Sequence, residues 1–192
     1  SLVPEATMTE EEAREIYDAD PEAYNTRTVS HILVMPDAGD RETETDDEGY
    51  TIYTDEEWAA AEEKAKELIA ELDNGADFAE LAKENSDDTG SAENGGALEG
   101  AFTREGSSYV EEFTNAAFEL TEVGAYTEEP VRSSYGYHII KIDDMTSEDN
   151  LDEVLQGIID DDLASQRSDQ LTAYMDEFEA DAVIVYYDEE GN

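Results

Sequence analysis

Only two histidines occur among 192 residues, and both sit inside short apolar runs. His138 lies in Tyr137-His138-Ile139-Ile140-Lys141-Ile142, and His31 in Val29-Ser30-His31-Ile32-Leu33-Val34-Met35. Runs of this kind read as strands, whose side chains alternate between two faces. Alternation sets His138 beside Ile140 and Ile142, with Tyr137, Ile139 and Lys141 opposite. His31 shares a face with Val29, Leu33 and Met35. Pro36 stops the first run because proline offers no N–H to a sheet ladder. Gly136, just ahead of the second, marks a bend or a close backbone approach. If the two strands are neighbours, the imidazoles meet. Such a pair could move protons or orient neighbouring groups, while each ring taken singly could equally be a structural histidine satisfied by hydrogen bonds. The chain has no cysteine, which excludes thiolate chemistry and disulfides. It has no nucleophile elbow of the Ser-His-Asp hydrolases, and two strand-borne histidines fall short of a metal site. No metal or cofactor is expected.

The elements that must position these histidines follow in order. Thr9-Glu10-Glu11-Glu12 is a capping box opening a short helix that carries Ala13, Ile16 and Tyr17, closed by Asp20-Pro21. From Pro36 to Glu57 the chain carries ten acids and one arginine, which reads as a long solvent loop or flap with a short hairpin at Tyr50-Thr51-Ile52-Tyr53. Asp55 is expected to cap a helix whose inward stripe is Trp58, Ala61, Ala65, Leu68, Ile69 and Leu72, ending at Asn74-Gly75. Asp77 caps a second helix with Phe78, Leu81 and Ala82 inward. Asn85 to Leu98 is turn chemistry throughout. Helical spacing returns from Tyr109 to Leu120, and Glu128 to Arg132 is extended before the His138 strand. Strand, two helices, loop, helix and two strands make an α+β domain with helices packed on a small sheet. Beyond Asp144, Leu151, Val154, Leu155, Ile158, Ile159 and Leu163 form one amphipathic stripe, and Leu171, Tyr174, Met175 and Phe178 another. A strand-like run, Ala182–Tyr187, ends this helical arm. The expected divisions are an N-terminal helical segment (1–28), a central domain (29–144, insert 36–57) and a C-terminal arm (145–192).

Fifty-four acids against ten Lys and Arg give a formal charge of −44. A field of that sign repels phosphates, so nucleic acid and direct adhesion to anionic lipid are not expected. The acids serve solubility, and could attract basic unfolded polypeptides. No 18-residue apolar span is present.

Five ordered motifs between Val29 and Asp143 resemble the parvulin family of peptidyl-prolyl isomerases. They are His31-Ile32-Leu33; Gly75-Ala76-Asp77-Phe78-Ala79-Glu80-Leu81-Ala82; the set Ser86, Asp88, Gly90, Ser91, Gly95, Gly96 and Leu98; Phe113 to Leu120; and Tyr135 to Lys141. The flanking helices resemble the extracytoplasmic foldases of the PrsA type found in Gram-positive bacteria. The resemblance implies a parvulin-like small antiparallel sheet flanked by helices, with an additional helical arm from both termini. It also implies an extracytoplasmic location, with lipid anchoring of a full-length precursor. The implied activity is cis–trans isomerisation of X–Pro bonds in unfolded or partly folded proline-containing polypeptides, without a covalent intermediate. A catalytically weak chaperone or peptide-binding module is the alternative. Carried over by residue, the site is His31, His138, Asp88 and Ser133, with Leu98, Phe102, Tyr109 and Phe113 for substrate. Leu98, Tyr109 and Phe113 would grip the proline, Asp88 would stand beside the rotating carbonyl, and the histidines would organise the site's floor rather than transfer protons. Two departures stand out. The turn Gly95-Gly96-Ala97-Leu98-Glu99-Gly100 is one residue longer than the family's and lacks its Asp, which leaves the register of Leu98 and Phe102 open. The insert lacks the basic cluster of phosphate-directed members, so phosphorylated Ser/Thr-Pro is not the expected target.

Overall fold

The structure is a computed structural model that describes residues 8–47, 49–146 and 150–181, with side chains through residue 175. The chain divides into two compact units, Ser1–Pro21 with Asn150–Asn192, and Glu22–Asp149.

The second unit holds four strands, β1 (Thr26–Val34), β2 (Phe102–Thr103), β3 (Val131–Arg132) and β4 (Tyr137–Thr146), in the order β2-β1-β4-β3 with every pair antiparallel. β1 and β4 are the two histidine runs, and they are neighbours. Their faces separate as alternation requires. Ile32, Val34, Tyr137 and Ile139 enter one apolar cluster with helices α2 (Asp55–Asp73) and α3 (Phe78–Asn85); Val29, Ile140 and Ile142 enter a second with Phe102 and helix α4 (Glu111–Glu119). Ile32, Ile139, Ile140 and Ile142 are fully buried, each contributing about 1.5–3 kcal/mol by leaving water. The sheet therefore has a core on both faces, and a one-residue slip would exchange them. A register shift at Thr28/Val29 opposite Asp144 and Ile142 leaves Asp143 unpaired in β4, where it accepts from Ser30 Oγ (2.5 Å) and Lys141 Nζ (2.7 Å).

Three boundaries differ from the sequence expectation. α2 is capped by Thr54, not Asp55, because the box needs a carboxylate three residues on: Glu57 returns the bond to the Thr54 N–H, whereas Asp55 has Trp58 there. α4 begins at Glu111 with Val110 as cap, so Tyr109 precedes the helix. β2 was not expected; two residues are too few to show alternation. Asp77 caps α3 through the Glu80 N–H as expected. The insert does carry a small hairpin, with a bridge between Thr45 and Thr51.

In the first unit, α1 (Glu10–Ala19) has the Thr9–Glu12 capping box and buries Ala13 and Tyr17, while Ile16 is exposed. The two C-terminal stripes lie on one helix, α5 (Leu151–Asp181), which buries Val154, Leu155 and Ile158 and exposes Leu171, Tyr174 and Met175. The run Ala182–Tyr187 and the Phe178 side chain lie outside the described residues.

The longer glycine turn runs alongside β1. Gly96 O accepts from the His31 N–H, and the Leu98 N–H donates to Val29 O (2.8 and 3.0 Å). Gly96 has φ +82°, and a Cβ there would sit 2.2 Å from His31 O. Only glycine fits, and this contact fixes the register of Leu98. Replacing Gly96 by Ala should lower stability by about 2 kcal/mol or more, against about 1 kcal/mol for Gly75→Ala, where φ is +93° but the space is open. Urea titration of the two variants checks the difference; equal losses would mean the turn is not held against β1.

Candidate active site

His31 stands opposite Ile140 and His138 opposite Leu33, which makes the imidazoles a diagonal pair on one face of the β1–β4 ladder. Both rings are buried, nearly parallel (16°) and 5.5 Å apart between centroids, with Nδ1 facing Nδ1 at 3.3 Å. The outer nitrogen of each ring has its own partner. His31 Nε2 lies 2.7 Å from Asp88 Oδ2, and His138 Nε2 lies 2.8 Å from Ser133 Oγ. Asp88, His31, His138 and Ser133 thus form one unbroken hydrogen-bonded chain across the sheet.

The direction of that chain is fixed at its Asp88 end. An ionised carboxylate only accepts and a backbone amide only donates. Asp88 therefore takes the Nε2–H of His31. At the far end Ser133 Oγ accepts from the Tyr135 N–H (3.1 Å), and its hydroxyl is within reach of both His138 Nε2 (2.8 Å) and Gly136 O (3.5 Å), of which His138 is the nearer. With both rings neutral, His138 carries its proton on Nδ1 and donates it to His31 Nδ1. Every polar atom along the row is then satisfied.

Asp88 is the one member of this row with substantial exposure, its side chain being 30% accessible against 7% for His31. Burial acts against its charge, but donors outweigh burial: the Ser91 hydroxyl (2.5 Å), His31 and the Gly90 N–H (3.1 Å) hold the carboxyl below its ordinary value. The Asp88–Gly90 bond is an Asx turn, and Ser86 Oγ accepts from the N–H groups of Asp88 and Leu33. Ser86 and Ser91 belong to the third sequence motif, but their part in fixing Asp88 goes beyond what that motif implied. The signal was present, since Asp followed by Gly two residues on and flanked by serines is a turn that ties its own carboxylate to backbone.

The four expected substrate-binding residues stand together above the imidazoles. Phe113 from α4 meets His31 and His138 edge-on, at 5.6 and 5.3 Å. Tyr109 packs on Phe113 and Phe102 on Tyr109, each with centroids 5.0 Å apart, and Leu98 packs against the same cluster. Phe113 and Phe102 are buried, whereas Leu98 and Tyr109 are only partly buried. The extra residue in the glycine turn therefore does not displace Leu98 or Phe102 from the cluster. The result is an apolar aromatic face open at Leu98 and Tyr109, with an ionised carboxylate beside it. Among the described residues, no group of three or more His, Cys, Asp or Glu could hold a metal ion.

Desolvation, reinforced by the neighbouring His31 and opposed by Asp88, pushes the His138 imidazole down to about 4 from 6.5. Between those values the unfolded chain binds a proton at this ring and the folded chain does not, so its contribution to stability diminishes as pH falls from 6.5 towards 4. Imidazole 15N spectra recorded through an acid titration should show His138 as a neutral Nδ1–H tautomer until about pH 4. A midpoint near 6.5, or an Nε2–H tautomer, would contradict this order of protons along the row.

The rotamase family model, described as a PPIC-type PPIase domain, matches residues 31–144. Foldase protein PrsA 1 of Bacillus cereus is 36% identical over 173 residues, which cover 90% of this chain and 47% of that protein. Foldase protein PrsA of Geobacillus kaustophilus is 37% identical over 159 residues, covering 82% of this chain and 44% of its own. The chain spans about half the length of the curated relatives it matches. A crystal structure of a PpiC-type peptidyl-prolyl cis-trans isomerase domain superimposes with a TM-score of 0.50 at 17% identity, over 66% of this chain and 95% of that one, a likeness in fold. The matched segment begins at His31 and includes every residue of the hydrogen-bonded row and its aromatic cover, and on that match the chain belongs to the PPIC-type peptidyl-prolyl isomerase, or rotamase, family.

Proposed function

We propose that this chain accelerates cis–trans isomerisation of X–Pro bonds in unfolded or partly folded polypeptides, and that it works in an extracytoplasmic compartment. The observation that carries the reading is the placement of Phe113, edge-on to both imidazoles, so that the aromatic face stands directly over the hydrogen-bonded row ending at Asp88. The compartment is proposed from the two foldase relatives; among the described residues, no helix is long and apolar enough to cross a membrane.

The chemistry needs no covalent step. Rotation about a peptide bond faces a barrier of about 18–20 kcal/mol because the planar amide is stabilised by resonance. Planar, the amide carries negative charge on its carbonyl oxygen; twisted, it loses part of that charge. A proline ring held against Leu98, Tyr109 and Phe113, with its preceding carbonyl near Asp88, is therefore repelled by the carboxylate more in the planar state than in the twisted one. That difference lowers the barrier, since only interactions that favour the transition state over the ground state accelerate a reaction. A ten-thousandfold acceleration needs about 5.5 kcal/mol. Desolvation of the amide against the aromatic face strengthens the repulsion. In this scheme the histidines hold Asp88 ionised and in place, and transfer no proton to the substrate.

A protease-coupled assay with a short proline peptide tests the reading. Wild type should accelerate isomerisation, and Asp88→Ala or Tyr109→Ala should each lower kcat/KM about tenfold or more with the fold retained by circular dichroism. Peptide binding without acceleration would overturn the enzyme reading.

A further inference from the structure

The acidic insert carries an apolar face of its own. Its hairpin is held by the Asp46 N–H donating to Tyr50 O (2.9 Å) and the Ile52 N–H donating to Glu44 O (2.8 Å), on either side of the Thr45–Thr51 bridge. Alternation therefore sets Tyr50 and Ile52 on one face and Thr51 on the other, and cross-strand pairing places Glu44 and Asp46 beside the two apolar residues. Arg41 anchors the hairpin: it pairs with Glu57 of α2 through two bonds of 2.7 and 2.8 Å and donates to Ile52 O.

This face continues towards the histidine row. Tyr50 meets Tyr135 edge-on, with centroids 5.6 Å apart and planes at 88°. Tyr135 lies in the turn before β4, and Gly136 brings that turn against the end of β1, since a Cβ on Gly136 would lie 3.0 Å from the Met35 Cα. Met35 continues the His31 face of β1, four residues on, which is about 13 Å of extended strand. Its N–H donates to the carboxylate of Asp87, the neighbour of Asp88 (2.8 Å). Met35, Tyr135 and Ile52 are 38%, 46% and 49% exposed, so the fold itself does not cover this path. Exposed apolar surface rimmed by polar groups marks an interaction site, and the rim here is acidic, with Glu44, Asp46 and Asp87.

We propose that Met35, Tyr135, Tyr50 and Ile52 form a specificity-determining subsite for the client chain, which takes the residues flanking the X–Pro bond and favours segments that combine apolar side chains with Lys or Arg. The occupant is the client's own chain because the patch continues the face of the sheet on which the proline is proposed to sit, and four extended residues span the separation. Lys and Arg are favoured because the rim is acidic on a chain of charge −44. The catalytic consequence rests on the proposed isomerase function; the binding consequence does not.

Isomerisation is followed by exchange NMR, which needs no protease, on a proline tetrapeptide, on the same core extended on either flank by four residues of Lys and Leu, and on matching extensions of Glu and Ser. Below saturation, the wild-type rate should be about tenfold higher or more for the Lys and Leu extension on one flank than for the tetrapeptide, with no gain from Glu and Ser. Ile52→Ser, which leaves the charge unchanged, and Tyr50→Ala should each lose most of that gain while turning over the tetrapeptide at the wild-type rate. The inference is overturned if the Lys and Leu extension gives no gain on either flank, or if Ile52→Ser keeps the gain, which would assign it to the diffuse field of the whole chain. Should wild type accelerate none of the peptides, the isomerase reading falls and the dissociation constants of the same peptides decide the subsite: tighter binding of the Lys and Leu peptide that Ile52→Ser weakens supports it, and equal binding by the two proteins overturns it.

Discussion

A row of hydrogen bonds through neutral imidazoles that ends on an ionised carboxylate can run in only one direction. In this chain the acceptor is the Asp88 carboxylate, and it orders the two buried imidazoles and the Ser133 hydroxyl behind it. Buried polar groups are costly unless all are satisfied, so the geometry around the row has to be tight. The long β1–β4 ladder supplies the diagonal placement of the rings. Gly96 and Gly136 supply backbone contacts too close for any side chain, one on each side of β1. The Asx turn and the serines around it supply the carboxylate.

Placing this row on one face of the sheet divides the labour between the faces. The α2–α3 side is a plain apolar core. The α4 side has an aromatic cover over polar groups, with Phe113 and Phe102 sealed in and Leu98 and Tyr109 left at the surface. That partial exposure leaves an apolar surface open beside the row. The acids, meanwhile, are spent outside the core. Several stand in first helical turns, at Glu10–Glu12, Asp55–Glu57 and Glu111–Glu112, where helix dipoles favour them. Asp88 is set apart from those surface acids by its partners: it is held ionised by fixed donors, beside apolar rings.

Much of this was legible in the sequence because its causes are local. Alternation placed both histidines and their neighbours on the correct faces. The Thr9 and Asp77 caps, the α2 stripe and the Asn74-Gly75 stop each depend on residues within a turn of one another. The Thr54 cap was also within reach, since Thr54, unlike Asp55, has a glutamate three residues on. The eight site residues came from motif resemblance rather than spacing, and the fold brings all eight together. What the sequence withheld depends on pairs far apart in the chain. β2 is defined by its pairing with Thr26 and Arg27 and not by its own two residues. The seating of Leu98 despite the longer turn follows from the Gly96–His31 contact, and the insert reads as a solvent loop or flap because the contact of Tyr50 with Tyr135 joins residues 85 positions apart. The direction of the proton row follows from the contact between His31 and Asp88, which are 57 positions apart.

Everything proposed for the site turns on a proline ring being held on the Leu98, Tyr109 and Phe113 face beside Asp88. Isotope-filtered NMR of the labelled protein with an unlabelled proline peptide observes that contact directly. Intermolecular NOEs are expected from the proline ring protons to the Tyr109 and Phe113 rings and the Leu98 methyls. NOEs confined to other surfaces, with these three side chains silent, would contradict it.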